Sequence, residues 1–307
     1  MGPTATGKTA LAMQIVERLA AASPATKVSL ISVDSALVYR QMNIGTAKPD
    51  AAQLARYPHQ LIDLIDPADS YSAATFCRDA TAAIHTAHAA GQLPLLVGGT
   101  MLYFRALEHG LSPLPEANQA VREAIAAEAG VAGWAALHQQ LSEVDPLAAA
   151  RIHPNDPQRL QRALEVYRLT GRPMTALQQQ AGPQVPWRIH KIALVPSDRA
   201  ALYQRINDRF AAMLQAGFIA EVEALQRRGD LHADLPAMRA VGYRQVWRYL
   251  EGLCSYEAML VAGMTESRHL AKRQLTWLRR EEGVQRVDPF DEKSVASLLN
   301  ELVTKRI

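Results

Sequence analysis

The sequence is poor in cysteine, since only Cys77 and Cys254 occur among 307 residues and no C-x-x-C pair is present. Neither a disulfide framework nor a thiolate zinc site is therefore expected. Long hydrophobic runs are also missing: no apolar stretch reaches the roughly 18 residues of a membrane-spanning helix, and no segment resembles a signal peptide. From these absences we expect a soluble, cytoplasmic protein without a membrane partner, and a monomer by default.

Charge of one sign does not dominate, and neither internal repeats nor low-complexity tracts occur; the formal net charge is +3. The two halves nevertheless differ. Residues 1–150 contain 9 Lys and Arg against 13 Asp and Glu, whereas residues 151–307 contain 24 against 17. A basic half is a weak indication of a polyanionic partner. Apolar residues make up 49% of the chain, enough for the core of one large domain or of two modest ones.

A complete phosphate-binding loop stands at the start of the chain. GPTATGKT at residues 2–9 has the form G-x-x-x-x-G-K-[ST], and a helical pattern of apolar residues follows it directly from Lys8. In such a loop, backbone N–H groups and a helix N-terminus hold a phosphate, Lys8 reaches the terminal phosphates and Thr9 positions Mg²⁺. The motif indicates a diphosphate with magnesium; ATP, another nucleotide and a non-nucleotide diphosphate all fit it.

Four apolar runs predict a parallel sheet around this loop, at residues 28–33, 61–66, 93–97 and 192–195. Loop, helix and first run make most of a βαβ unit, whose carboxyl edge carries both the phosphate loop and Asp34. Further helices are expected at residues 198–228, at 255–281 and, peripherally, in the last 20 residues.

Between residues 114 and 187 no strand signal appears, and the composition rich in Ala, Glu and Gln favours helices. We interpret this stretch as an insertion. The predicted fold is therefore α/β: a P-loop NTPase-like parallel sheet core, formed by residues 1–113 and 188–307, with an all-helical insertion domain at 114–187.

Asp34, at the end of the first predicted strand, is the main candidate for acid–base chemistry. A carboxylate there could orient magnesium, deprotonate an acceptor hydroxyl or take a proton from an amine. Its structural alternative is a cap on the following turn. Asp63 and Asp66 allow a metal-binding acid after a strand, but the pair Asp66-Pro67 favours a turn.

Three basic clusters in the second half are candidates for RNA binding. Arg159 and Arg162 share one face of a helix that Asn155-Asp156-Pro157 would cap, although a solvated basic face is the plain alternative. A second cluster combines two guanidiniums with a ring that suits an unstacked base: Arg239, Tyr243 and Arg244. In the third, basic residues surround a tryptophan that could equally lie in the core with snorkelling neighbours: Lys272, Arg273, Trp277, Arg279 and Arg280.

Seven motifs in order give the sequence a family resemblance over essentially the whole chain. They are GPTATGKT (2–9), VDSALVYRQMNIGTAKP (33–49), YSAATF (71–76), LLVGGTMLYFRAL (95–107), DPQRLQRALEV (156–166), AVGYRQ (240–245) and AKRQLTWLRR (271–280). Together they resemble the tRNA dimethylallyltransferases, also called tRNA isopentenyltransferases. No ligand set for a C-terminal zinc finger is present, so the bacterial type is implied.

The resemblance implies a reaction. The family transfers a dimethylallyl group from dimethylallyl diphosphate to N6 of the adenosine just 3′ of the anticodon, in tRNAs that read codons beginning with U. It uses Mg²⁺ and releases diphosphate. The loop would thus hold a leaving group rather than ATP, and the insertion would hold the anticodon stem-loop.

The resemblance also implies site residues. Asp34 would be the general base, Thr100 would position the amine or the diphosphate, and Lys8 and Thr9 would serve the leaving group and its metal. Diphosphate contacts would come from Gly2, Pro3, Thr4, Ala5, Thr6, Gly7, Lys8, Thr9 and Arg209, the last being alternatively a helix-surface arginine with a salt partner. Contacts to tRNA would come from Asp34, Ser35, Ala36, Leu37, Thr100, Arg122, Gln158, Arg159, Leu160, Gln161, Arg162, Arg239, Ala240, Val241, Gly242, Tyr243, Arg244, Lys272, Arg273, Gln274, Leu275, Thr276, Trp277, Leu278 and Arg279.

Two features depart from the family pattern. Leu37 stands where a glutamine is usual, which removes a side-chain amide contact but no backbone contact. Family members also have an apolar strand before the loop, whereas Met1 abuts Gly2; we therefore expect the natural start about ten residues upstream. Two other functions remain open from the residues alone: a small-molecule kinase that uses ATP, with the insertion as a lid, and a nucleotide-gated RNA-binding switch.

Overall fold

The computed structural model describes residues 1–180 and 186–304, which form two compact units. Unit 1 comprises Met1–Phe104 and Trp187–Ile307, and unit 2 comprises Arg105–Pro186. The structural division thus begins before residue 114, where the sequence places the start of the insertion. Residues 181–185 of the predicted insertion and 305–307 of the predicted last helix lie outside the described residues.

The sheets of unit 1 are parallel. Strand β1 (Lys27–Val33) lies between β2 (His59–Gln60) and β3 (Gln92–Gly98), and β4 (Lys191–Leu194) pairs with β5 (Val284–Val287). Five of the seven β1 residues are buried, as expected for a parallel strand covered on both faces. The register places Val33 opposite Gly98, so the segments after β1 and β3 leave the sheet side by side.

The strands predicted at 28–33, 93–97 and 192–195 are confirmed, whereas the one predicted at 61–66 is wrong. Leu61 and Asp63 have φ angles of 62° and 56°, which extended strands do not adopt. In that segment only Ile65 forms a bridge, an isolated one to Tyr39. The short strand β2 precedes the apolar run, and β5 was not predicted.

Helices surround these sheets and make up all of the regular structure in the described part of unit 2. In chain order they are α1 (Lys8–Ala22), α2 (Ala51–Arg56), α3 (Ala73–Ala89), α4 (Met101–His109), α5 (Gln119–Ala132), α6 (Trp134–Val144), α7 (Pro146–Ala149), α8 (Pro157–Thr170), α9 (Met174–Gln178), α10 (Arg199–Gln215), α11 (Phe218–Gln226), α12 (Tyr243–Leu250), α13 (Tyr256–Leu278) and α14 (Glu292–Thr304). Among the described residues, no helix is both long and apolar enough to span a bilayer. The helices predicted from Lys8, within 198–228 and within 255–281 are confirmed.

Two of the apolar clusters in unit 1 each join several elements. One joins the segment after β1 to α10–α13 and includes the fully buried Met42, Phe218 and Tyr243. The other joins α1 to β4, β5 and α14, and it buries three leucines of α14, Leu298, Leu299 and Leu302. The last helix is therefore part of the core, since its apolar face covers α1 and the second sheet.

Unit 2 has a core of its own, built from leucine and isoleucine at helical spacing, with Ile125, Leu137, Leu141 and Leu160 fully buried. Helix α8 begins as its sequence predicts: the Asp156 side chain accepts from the backbone N–H of Arg159, and proline occupies the first turn.

One carboxylate inside this core connects α5 to α8. Glu165 has no exposed surface and accepts hydrogen bonds from Arg122 (2.9 and 3.2 Å), from Arg162 (2.7 Å) and from the Asn118 backbone (2.7 Å). Burial by itself raises the pKa of Glu165, but these hydrogen bonds outweigh it and hold the pKa below its ordinary value. Glu165 is therefore ionised and fully partnered at neutral pH.

We expect Glu165→Gln to destabilise unit 2 by about 2–3 kcal/mol, less than a fully buried pair would lose, because both guanidinium groups keep some contact with water. Hydrogen exchange in α5 and α8 should accelerate. Glu128→Gln is the matched control: it breaks an ion pair with Arg168 whose carboxylate is 43% exposed, and should cost less than about 1 kcal/mol. Equal losses in the two variants would contradict the role of Glu165.

Candidate active site at the phosphate loop

The phosphate loop at residues 2–9 turns tightly into α1. Its start lies beside the last residue of β4, because Leu194 N donates to Met1 O at 2.9 Å. Ala5 and Gly7 have φ angles of 65° and 76°, and the Thr6 hydroxyl donates to Pro3 O at 2.8 Å. These features curl the loop over the N-terminus of α1, where unpaired N–H groups and the helix dipole favour an anion.

Lys8 supplies the cation of this loop. Its ammonium donates to Pro3 O at 2.7 Å, so the side chain folds back over the loop rather than into solvent. Burial lowers the pKa of Lys8 to about 8; the Asp34 carboxylate acts to raise it and the Arg209 guanidinium to lower it further. A bound phosphate would satisfy this partly desolvated ammonium.

Two arginines one turn apart on α10 face the loop. Arg209 donates to the Thr4 hydroxyl, and burial lowers its pKa, opposed by the nearby Asp34 charge. Arg205 donates to Ala5 O at 3.2 Å and lies over the Phe290 ring. Sequence reasoning identified Arg209 and missed Arg205, although the four-residue spacing predicts a shared helix face.

Asp34 and Thr100 meet at the carboxyl edge of the first sheet, because β1 and β3 are neighbours in register. Ser35 N donates to the Thr100 hydroxyl at 3.1 Å, and Thr100 N donates to Val33 O at 3.2 Å. Asp34 Oδ1 accepts from Ala36 N at 2.8 Å and from Leu37 N at 3.3 Å. Asp34 therefore does cap its turn, as the structural alternative required. Both bonds use Oδ1, so the cap leaves Oδ2 for other chemistry.

The loop, the two arginines, Asp34 and Thr100 form one site within unit 1. Its chemistry pairs an anion-binding cradle with a carboxylate and a hydroxyl. The described residues contain no cluster of three or more His, Cys, Asp or Glu that could hold a metal. Thr9 lies in the first turn of α1 next to Lys8, which suits Mg²⁺ held mostly by phosphate oxygens and water.

The motif at 239–244 differs from its sequence interpretation. Tyr243 is fully buried and packs edge-on against Phe218, so its ring is not available to stack on a base; that prediction is corrected. Its hydroxyl donates to Glu221 at 2.5 Å, and Glu221 also accepts from the backbone of residues 43–45. The tyrosine thus fixes a loop of the core. Arg239 and Arg244 remain exposed, Ala240 and Val241 are half-buried, and Gly242 is buried.

We expect Tyr243→Phe to lower the free energy of unfolding by about 1.5–3 kcal/mol, the usual worth of a hydrogen bond to a charged group. Its tRNA affinity should stay within about twofold. The exposed Arg244→Ala should behave in the opposite way, with little change in melting temperature and weaker tRNA binding. Weaker tRNA binding by a folded Tyr243→Phe with unchanged stability would contradict the structural role of the hydroxyl.

The motif at 272–279 divides by face. Lys272, Arg273 and Arg279 are exposed, whereas Leu278 is buried and Trp277 is half-buried against the apolar cluster that includes Met101 and Leu278. The core alternative therefore describes Trp277 better than a base contact does. Of the remaining predicted tRNA contacts on this helix, Leu275 is half-buried against a core cluster and Thr276 bonds the carbonyl of Lys272. Gln274 is buried and bonds to the phosphate loop, which contradicts a direct RNA contact.

In unit 2 the predicted tRNA contacts also divide into exposed residues and residues that bond or pack within the core. Gln158 and Arg159 are exposed, Leu160 is fully buried in the core and cannot reach RNA, and the Gln161 amide donates to Arg122 O at 2.9 Å. Arg122 and Arg162, both partly exposed, pair with Glu165. Helical spacing predicted the shared face but could not reveal the buried carboxylate.

The geometry of the site does not identify a family, but comparison with known proteins does. A family model described as IPP transferase matches residues 37–281, most of the chain. The chain belongs to the IPP transferase family. It is 59% identical over 284 residues to a tRNA dimethylallyltransferase of Alkalilimnicola ehrlichii. The matched residues cover 92% of this chain and 87% of that protein. The resemblance drawn from the seven motifs is thereby confirmed.

Solved structures agree with this membership. A tRNA isopentenylpyrophosphate transferase of Bacillus halodurans is 38% identical, with a TM-score of 0.70. The match covers 99% of this chain and 94% of the Bacillus protein. The Staphylococcus epidermidis protein named tRNA delta(2)-isopentenylpyrophosphate transferase is 30% identical with a TM-score of 0.68, covering 100% and 96%. A eukaryotic dimethylallyltransferase acting on tRNA, at 23% identity and a TM-score of 0.73, shares the fold. The predicted α/β class is confirmed.

Proposed function

We propose that this protein transfers a dimethylallyl group from dimethylallyl diphosphate to N6 of the adenosine 3′ of the anticodon, in tRNAs that read codons beginning with U. The observation that carries the proposal is the meeting of the phosphate loop, Lys8 and Arg209 with Asp34 and Thr100 in one site. A leaving-group cradle thus lies beside a base. The names of the relatives, each a transferase acting on tRNA or an isopentenyl diphosphate, support the same reaction.

The leaving group is served by the loop. As the allylic C–O bond breaks, its electron pair moves to the diphosphate, and loop N–H groups, Lys8 and Arg209 neutralise the charge that develops. Thr9 and the phosphate oxygens would hold Mg²⁺, which would further neutralise the diphosphate when bound. No ATP is consumed, because the diphosphate ester itself provides the leaving group.

Residues at the carboxyl ends of β1 and β3 act on the acceptor amine. The exocyclic amine of adenine is a poor nucleophile and must lose a proton as the N–C bond forms. Asp34 Oδ2 takes this proton, while Oδ1 keeps the turn in place. The Thr100 hydroxyl, which accepts from the backbone N–H of Ser35 next to Asp34, positions the amine. Because the target base is stacked in free tRNA, it must leave its stack to reach Asp34.

The tRNA itself would be held through its phosphates by exposed cations. These are Arg159 in unit 2 and, in unit 1, Arg239, Arg244, Lys272, Arg273 and Arg279. We propose that unit 2 holds the anticodon stem-loop and that the enzyme acts as a monomer in the cytoplasm. A small-molecule kinase has no use for these cations, and family membership disfavours that alternative.

Ligand-induced stabilisation tests which diphosphate the loop accepts. With Mg²⁺ present, we expect dimethylallyl diphosphate to raise the melting temperature more than ATP at the same concentration. Lys8→Met is the control in which this rise should largely disappear. The affinity for tRNA should fall steeply with salt. A much larger rise with ATP, together with salt-insensitive tRNA binding, would favour the kinase.

A further inference from the structure

Gln274 is a buried glutamine in the middle of a basic helix surface. It lies on α13, directly after the exposed Lys272 and Arg273, yet only 9% of its surface is exposed. Its side chain points inward, toward the phosphate loop. The residue therefore belongs to the inner face of the same helix whose outer face presents cations.

Both ends of the Gln274 amide are engaged with backbone at the candidate active site. Its Oε1 accepts from Thr4 N, in the phosphate loop, at 2.9 Å. Its Nε2 donates to Gly99 O, at the end of β3, at 2.8 Å. A single side chain thus connects the cradle of the leaving group to the strand end that continues into Thr100.

The space for this connection exists because residue 99 is glycine. A Cβ there would lie 2.6 Å from Gln274 Nε2 and 3.2 Å from Gly2 O, so an alanine would push the amide away. The next residues extend the connection: Thr100 receives the Ser35 N–H at 3.1 Å, one residue beyond Asp34. Thr4, at the other end, also bonds Arg209.

We propose that Gln274 is a positioning residue, which fixes the diphosphate loop relative to the Thr100–Asp34 edge and so sets the distance between leaving group and base. This inference rests on the proposed function. In an in-line displacement the amine and the departing oxygen lie on opposite sides of the allylic carbon, so both sides must be held at one spacing. A misplacement of about 1 Å can cost about 100-fold in rate.

The test compares Gln274→Met, which keeps the shape and loses both hydrogen bonds, with the matched control Gln285→Met. Gln285 lies on β5 and donates to Glu301 at 2.7 Å, and it contacts neither the loop nor β3 by hydrogen bond in the described structure. Gln274→Asn is the second variant, since the shorter amide can keep one bond but not both. Circular dichroism and melting temperature establish that each variant is folded.

For Gln274→Met we expect the kcat of dimethylallyl transfer to fall about 10- to 100-fold, with the KM for tRNA within about twofold. The Kd of Mg²⁺–inorganic diphosphate, measured by calorimetry, should rise several-fold. Gln274→Asn should fall between wild type and Gln274→Met, and Gln285→Met should match wild type. A purely structural role would not lower kcat while leaving the KM for tRNA unchanged.

Two results would overturn the inference. One is a folded Gln274→Met or Gln274→Asn with wild-type kcat and wild-type diphosphate affinity. The other is a raised KM for tRNA with unchanged kcat, which would make Gln274 a direct RNA contact. If the wild-type protein transfers nothing, the proposed reaction fails, while the diphosphate Kd values of wild type and Gln274→Met still decide whether Gln274 positions the loop.

Discussion

Asp34→Asn should lower the kcat of dimethylallyl transfer by about 10²- to 10⁴-fold, the range that general base catalysis contributes. The substitution is nearly isosteric, and the amide oxygen can still accept from the Ala36 and Leu37 backbone that Oδ1 now caps. What it removes is the capacity to take the proton from N6. Single-turnover assays with saturating tRNA and dimethylallyl diphosphate measure the chemical step directly.

The affinity for tRNA decides between two roles of Asp34. We expect Asp34→Asn to bind tRNA within a few-fold of wild type. Asp50→Asn is a suitable control, because Asp50 is an exposed N-cap of α2, where asparagine serves equally well, and it should leave the rate unchanged. Lost tRNA binding with a preserved single-turnover rate would make Asp34 a recognition residue instead.

Lys8→Met should weaken the binding of Mg²⁺–diphosphate and lower kcat by about 10²- to 10³-fold, as the loss of one preorganised donor to a developing charge does. The physical reason is burial: Lys8 is already desolvated, so its charge acts on the diphosphate through little water. The same desolvation means that the Lys8 ammonium lowers the stability of the ligand-free protein. The ligand-free Lys8→Met should therefore melt no lower than wild type. Calorimetry and thermal melts measure both effects.

The pKa of Lys8 adds a pH dependence with a definite sign. Burial lowers that pKa to about 8, and diphosphate prefers the protonated ammonium. Below pH 8 Lys8 is protonated, so the affinity should not change with pH through Lys8; above pH 8 the affinity should fall by up to tenfold per pH unit. Lys8→Arg keeps its charge throughout and corrects for the titration of diphosphate itself. Identical slopes for wild type and Lys8→Arg would contradict the lowered pKa.

The fold was predictable where apolar runs are long and local. The strands at 28–33 and 93–97 are indicated by runs rich in Val, Leu and Ile, and α1 is indicated by apolar residues at every fourth position after the loop. The run at 61–66 misled because its composition suits a strand, whereas positive φ angles at Leu61 and Asp63 break it. Strand β5 was missed because four residues with two polar side chains carry too little pattern.

The site was predictable where topology alone brings residues together. Parallel neighbours in register carry Asp34 and Thr100 to one edge, and the loop motif fixes Lys8. Side chains that act through tertiary contact were not predictable. Tyr243 was expected to meet RNA but bonds the core carboxylate Glu221, and Gln274 was expected on the RNA face but reaches the loop. A motif indicates that a residue matters, but not which way it faces.

The claim that the loop holds a leaving group is tested most directly by a mass measurement. The protein is incubated with Mg²⁺, dimethylallyl diphosphate and unmodified tRNA in the absence of ATP, and the digested nucleosides are weighed, with Asp34→Asn as the blank. We expect one adenosine per tRNA to become heavier by one dimethylallyl group. An unmodified tRNA, with a small acceptor phosphorylated only when ATP is added, would contradict the claim.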